Sequence, residues 1–246
     1  MSTAVLGAEV VKLRSLASTW WFLGCTAILS LMLSGFAVRD PLEGQQPGII
    51  EAVVGPSFAQ ILITLLGARS ITQEFRSGTI WMSGLAVPSW SKLLAGKAVV
   101  TALVAALTGA LLVAGGMLVA MLVRPSADLD PSSALEWRQL LGIPVSFAIS
   151  GVLGLAVGLL VKSGGMSIAV LLVWTLAAEP ALGAAGKWLL GFEVGAWLPF
   201  QALNDFLGQP GGLSFAGGPF LAGLYVAVLA MGLLAAGIKL QNRREP

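Results

Sequence analysis

The chain has 246 residues, of which 57% are hydrophobic and only 11% charged, where a soluble domain carries about a quarter charged residues. A mean hydropathy of +0.89 is more apolar surface than a water-soluble core of this size can hide, so the chain is read as a polytopic membrane protein solvated by lipid. The net charge of +2 without a dense basic patch argues against a nucleic-acid partner, the lack of histidine removes His-ligated metals and His-based acid–base chemistry, and the single Cys25 excludes an intrachain disulfide.

In chain order, residues 1–18 come first. Leu6, Val10, Leu13 and Ala17 fall on one helical stripe with Glu9 and Lys12 off it, which suits a helix lying in the membrane interface. A basic tail that merely orients the next segment fits the same residues. Glu9 among the basic residues and the lack of a small-residue cleavage site favour an uncleaved start over a signal peptide.

A helix needs roughly 20 apolar residues to cross a bilayer core. Runs of that kind occupy residues 19–38, 52–68, 98–123, 140–161, 165–182 and 219–240. The second is short, and the fifth meets Glu179–Pro180. With no water to satisfy the backbone in lipid, all six are predicted as helices, giving an all-α fold in one transmembrane domain over 1–246. Placing both termini inside puts Lys12, Arg14, Arg69, Arg76, Lys92, Lys97, Lys162, Lys239, Arg243 and Arg244 on the inner side. Only Arg39, Arg124, Arg138 and Lys187 then lie outside, as the positive-inside rule requires.

Two connections are more than turns. The inner one, residues 70–92, places Ile71, Phe75 and Met82 on one helical face with Glu74 and Arg76 projecting away. A short amphipathic helix of this kind can bury one face and present the other to a soluble partner, with Gly78 turning the chain and Pro88 ending any helix. A structural loop whose Arg69, Arg76, Lys92 and Lys97 meet lipid headgroups fits equally. The outer connection, residues 183–218, combines Pro199, Pro210 and paired glycines with Trp188, Leu189, Leu190, Phe192, Trp197, Leu198 and Phe200. Short helices dipping back into the outer leaflet account for so many apolar residues, as does an aromatic belt lying on the headgroups. Gly154 and Gly158 have the spacing that permits close helix approach, though 31 glycines also produce such a pair by chance.

No chemistry is legible. The phosphate loop G-x-x-x-x-G-K-[ST] fails at both Gly-Lys pairs: Gly96-Lys97 has Ser91 at the first glycine position, and Gly186-Lys187 has Ala181 there and Trp188 after the lysine. The uninterrupted span cores hold no charged residue, against a proton-coupled secondary transporter. Glu179 before Pro180 is open to two readings, a functional carboxylate at an unwound helix end or a snorkelling surface residue.

The run Glu9-Val10-Val11-Lys12-Leu13-Arg14-Ser15 ahead of Ser18-Thr19-Trp20-Trp21 resembles the start of type-2 ATP-binding-cassette (ABC) transporter permeases, particularly actinobacterial ones. Ile71 to Lys97, with Glu74, Gly78-Thr79, Pro88, Lys92 and Lys97, is similar to their cytoplasmic loop. Trp174 with Glu179-Pro180, then Trp197-Leu198-Pro199-Phe200, is similar to their fifth span and the outer segment after it. The resemblance implies six spans with an N-terminal interfacial helix, a cytoplasmic coupling helix and re-entrant helices before the last span. It implies a bacterial cytoplasmic membrane and a second permease copy or paralogue. Two separate ATPase subunits would carry the ATP and Mg, so this chain would need no cofactor and would be no enzyme itself. Glu74, Phe75, Arg76, Gly78 and Thr79 would couple to the ATPase. Trp20, Trp21, Phe36, Phe58, Gln60, Thr64, Trp174 and Glu179 would border a path for a lipid, peptide or antibiotic. The reading from a different class is a non-transporting receptor or immunity protein binding a toxin or signal at its outer face.

Overall fold

The computed structural model describes residues 7, 11, 17–41, 47–80, 90–191, 193–209 and 214–242. The helices are α1 (Ala17–Arg39), α2 (Ile49–Ala52), α3 (Val54–Ser77), α4 (Trp90–Val123), α5 (Ala134–Val161), α6 (Gly164–Val173), α7 (Glu179–Leu190), α8 (Pro199–Leu207) and α9 (Pro219–Asn242). Six stretches are long and apolar enough to cross a membrane: α1, α2 with α3, α4, α5, α6 with α7, and α9. Among the described residues there is no strand. This is a multi-pass, all-helical membrane protein. The expected interfacial helix over 1–18 falls mostly outside the described residues, as does the coupling region from 81 to 89.

The spans run longer than their apolar cores predict, because helical hydrogen bonding continues past the first charge. The second span is not the short 52–68 run but Ile49–Ser77. Residues 70–77 therefore extend α3 instead of forming a separate surface helix, and the helix ends at Gly78, whose φ of 70° needs glycine. A new helical turn starts at Thr79 and Ile80. The third span starts at Trp90, not 98. The fourth starts at Ala134 instead of 140, because Ser133 and Glu136 form a capping box: the Ser133 hydroxyl accepts from the Glu136 N–H (3.2 Å), and the Glu136 carboxylate accepts from the Ser133 N–H (2.9 Å).

The fifth span also outruns its predicted end at 182. In a regular helix the Pro180 ring would collide with the carbonyl four residues back. Here Trp174–Ala178 forms a wide π turn in which the Glu179 N–H reaches the Trp174 carbonyl, and α7 continues in line to Leu190.

Spans two and four form the buried centre of the bundle, while spans one and five are the most exposed. The contact between α3 and α5 depends on glycine. A Cβ at Gly154 would strike the Thr64 carbonyl, one at Gly158 would lie 2.6 Å from the Ala68 carbonyl, and one at Gly67 would strike the Gly151 carbonyl. The Gly154/Gly158 spacing is thus a real close-approach seam, and its partner helix presents the small Gly67 and Ala68.

A second device sits where α2 breaks into α3. Pro56 has no N–H to offer the Ala52 carbonyl, and the Ser34 hydroxyl of α1 donates to that oxygen at 2.6 Å. The same hydroxyl accepts from the Gly55 N–H at 3.2 Å. One side chain on span one thereby satisfies a donor and an acceptor that the proline break leaves open.

Candidate functional site

Two places gather polar groups at opposite ends of the bundle. The first centres on Glu179, which is only 1% exposed. Its Oε1 accepts from the Trp174 indole N–H (2.7 Å) and from the Phe200 N–H (3.1 Å), and its Oε2 accepts from the Gln201 N–H (3.1 Å). The two backbone donors belong to the first turn of α8. Leu198, the residue in the N-cap position, has no side-chain acceptor, and Pro199 at the first helical position has no N–H to satisfy. The carboxylate of span five therefore caps a helix 20 residues further on, where its charge also meets the positive end of the helix dipole.

With its N-terminus so held, α8 buries Phe200, Leu203, Phe206 and Leu207. Phe206 packs over Gly142 of α5 and Gly223 of α9, where any Cβ would come within 3.3 Å of its ring. Beside it Trp197, Phe215 and Tyr225 cluster, with ring centroids 4.7 to 5.9 Å apart, and the Tyr225 hydroxyl donates to the Trp197 carbonyl at 2.9 Å. Of the apolar residues expected in the outer connection, Phe200 is thus buried in packing α8 and Trp197 joins the ring cluster beside it, while Trp188 and Leu189 belong to the end of α7, at 84% and 68% exposure. Phe192 and the Leu190 side chain lie outside the described residues.

A cavity of about 120 Å³ lies next to this capped helix, lined by Ser57, Phe58, Gln60 and Ile61 of α3, Thr175 of the π turn, and Phe200, Asn204 and Gln209. Of the predicted path residues, Phe58 and Gln60 line it. Trp174 and Glu179 adjoin it through their neighbours Thr175 and Phe200. Thr64 is 1% exposed and donates to the Gln60 carbonyl of its own helix at 3.0 Å, facing the α3–α5 seam. Trp20, Trp21 and Phe36 stand 57%, 77% and 58% exposed on α1 and do not line the cavity. Ser57, Thr175, Asn204 and Gln209 were not foreseen. Single hydroxyls and amides in apolar runs give no pattern until a wide turn and a short helix bring them together.

The second place is the end of the bundle where α3 meets α4. Glu74 and Lys97, expected as surface charges, are 8% and 5% exposed and form an ion pair at 2.9 Å. Glu74 thus points into the protein, not away from it, and fastens the last turn of α3 to the second turn of α4. Phe75 is half-buried against the cluster around Ile71 and Ile80. Arg76 and Thr79 are exposed, and Gly78 ends α3 between them in the left-handed conformation. The five predicted coupling residues are therefore neighbours but divide by role. Glu74 and Phe75 hold the hairpin, and Arg76 and Thr79 form its open surface.

Among the described residues no three of His, Cys, Asp or Glu gather as a metal site. Comparison with protein-family models, with curated proteins and with solved structures finds no match for the chain.

Proposed function

We propose that the chain is the membrane-spanning permease subunit of an ATP-driven exporter of the type-2 ABC class. It would act as a pair in a bacterial cytoplasmic membrane, with both termini inside. Two separate ATPase subunits would hold the ATP and Mg. The observation that best supports this reading is the braced hairpin at the end of span two. A helical span of 29 residues that ends at Gly78 and is pinned to span three by a buried ion pair is a stiff element. A push on its exposed tip at Arg76 and Thr79 moves spans two and three together, the kind of rigid-body change that nucleotide can drive. Apolar and aromatic groups dominate the cavity beside α8 and the exposed face of α1, which favours an amphipathic or hydrophobic cargo such as a lipid, peptide or antibiotic.

The test is to isolate the tagged full-length chain from native membranes in gentle detergent, identify co-purifying proteins and assay ATP hydrolysis. The reading expects a stoichiometric ATPase. Thr79→Arg, on the exposed tip, should release it while the protein remains folded, and Phe75→Asp should do the same with some loss of stability. A chain that elutes alone without hydrolysis refutes the exporter. The second reading, a receptor or immunity protein without an ATPase, draws on the exposure of Trp188 and Leu189 at the end of α7. It predicts toxin or signal binding that Trp188→Ala abolishes.

A further inference from the structure

At the same end of the bundle as the Glu74–Lys97 pair, an open cleft of about 650 Å³ separates the last turns of α3 from the turn joining α5 to α6. Arg69 and Arg76 line one wall and Lys162 the other. Among the described residues no acidic side chain lines this space. Glu74, on the same helix as the two arginines, is turned to Lys97. The guanidinium of Arg69 stands 2.7 and 3.1 Å from the neutral side-chain amide of Gln73, a neighbour that leaves its charge uncancelled.

Lys162 stands in a position that glycine would ordinarily fill. It is the left-handed C-cap of α5, with φ of 60°, and the only non-glycine residue among those described to adopt positive φ. What this backbone achieves is placement: the ammonium donates to Gln241 Oε1 at 2.7 Å and sits 5.4 Å from the centre of the Phe75 ring, at the cleft's edge. The first turn of α6 opens on the same space through Gly164 and Gly165. Its N-cap, Ser163, makes no side-chain cap, and first-turn N–H groups have no partner within their own helix. These cations and open N–H donors together describe a receptor for a phosphate-type anion.

The apolar side of the cleft says where that anion comes from. Ile168 lines it and continues one turn on to half-buried Leu172, along the seam between α6 and α3. Exposed Gly165 and Ala169 leave a shallow track on the neighbouring side of α6. We infer that the cleft binds the phosphodiester headgroup of an anionic membrane lipid, with its acyl chains running along α6. This holds whether or not the chain works with an ATPase.

The experiment is a lipid titration of the full-length protein in detergent, followed by native mass spectrometry, with phosphatidylglycerol against phosphatidylcholine. Each basic residue near a headgroup favours the anionic lipid by about fivefold, so Arg76→Gln with Lys162→Gly should reduce the preference by roughly twentyfold. Glycine suits the backbone at 162, so this variant keeps its fold. Lys239→Gln removes one charge from the same end of the bundle, outside the cleft, and should change nothing. An unchanged preference in the double variant overturns the assignment, as does an equal loss in Lys239→Gln. Displacement of the lipid by an equal concentration of glycerol phosphate overturns the lipid as ligand and gives the cleft to a soluble phosphate.

Discussion

Replacing Glu179 tests how a short helix is held on the bundle. In Glu179→Gln the amide oxygen can still accept from Trp174 and Phe200, but its NH2 then faces the Gln201 N–H, donor against donor. A hydrogen bond to a charged acceptor contributes about 1.5–3 kcal/mol, and a donor left facing another donor costs at least that much. The start of α8 should therefore open about 2 kcal/mol more easily, which is about thirtyfold in an opening equilibrium. Glu179→Ala removes all three acceptor contacts, and on the order of 4 kcal/mol is expected, limited by the part of the turn that water can reach. Site-resolved hydrogen exchange on the detergent-solubilised protein reads this directly. Glutamine should speed exchange mainly at the Gln201 amide, and alanine at both Phe200 and Gln201, by on the order of a thousandfold. The indole of Trp174 loses its acceptor in the alanine variant, so its fluorescence should shift as well. If Glu179→Ala leaves both amides as protected as in the wild type, α8 is held by its apolar face alone and the capping argument is wrong.

The glycine seam makes a paired prediction. Gly154→Ala should cost about 2–3 kcal/mol, because the backbones of α3 and α5 must separate. Gly232→Ala, with nothing within 4 Å of the new methyl, should be neutral or stabilising by about 0.5–1 kcal/mol; thermal unfolding in detergent compares the two. Glu74→Ala should destabilise by about 3–5 kcal/mol by stranding Lys97, and Glu74→Leu with Lys97→Met should recover most of the loss. A double variant as unstable as the single would show that the pair is not what pins the hairpin. Ser34→Ala should cost about 2–3 kcal/mol by leaving the Ala52 carbonyl and Gly55 N–H open, and Ser34→Cys should restore little of it.

The number and type of the spans are legible because lipid leaves no other solution: six long runs without charge must be helices. Their ends are not legible, because a charge stops the hydropathy signal without stopping the hydrogen bonds. The second span reads as ending at residue 68, before Arg69, and Glu74 reads as a surface charge until Lys97, 23 residues on, is seen to pair with it. The start of the fourth span could have been read, since Ser133 and Glu136 have capping-box spacing. Glu179 could not. Besides the nearby Trp174 indole, its partners are two backbone N–H groups more than 20 residues away, and backbone donors look alike at every position in a sequence. Gly154 and Gly158 lie between these cases. Their spacing is visible, but whether it matters depends on small residues in another helix, and a single chain of letters does not pair helices. The inner cleft was half visible. Arg69 and Arg76 stand out as basic residues in an inner connection, but Lys162 is separated from them by two spans.

The hydroxyl of Ser34 has a mechanical consequence. Because it grips both sides of the proline break in span two, at 2.6 and 3.2 Å, any twist or slide of span one past span two must first unmake two buried bonds. Small oscillations of the pair are free, but separation is not. Spans one and two therefore travel as one plate, and a shape change that opens this protein has its sliding surfaces elsewhere.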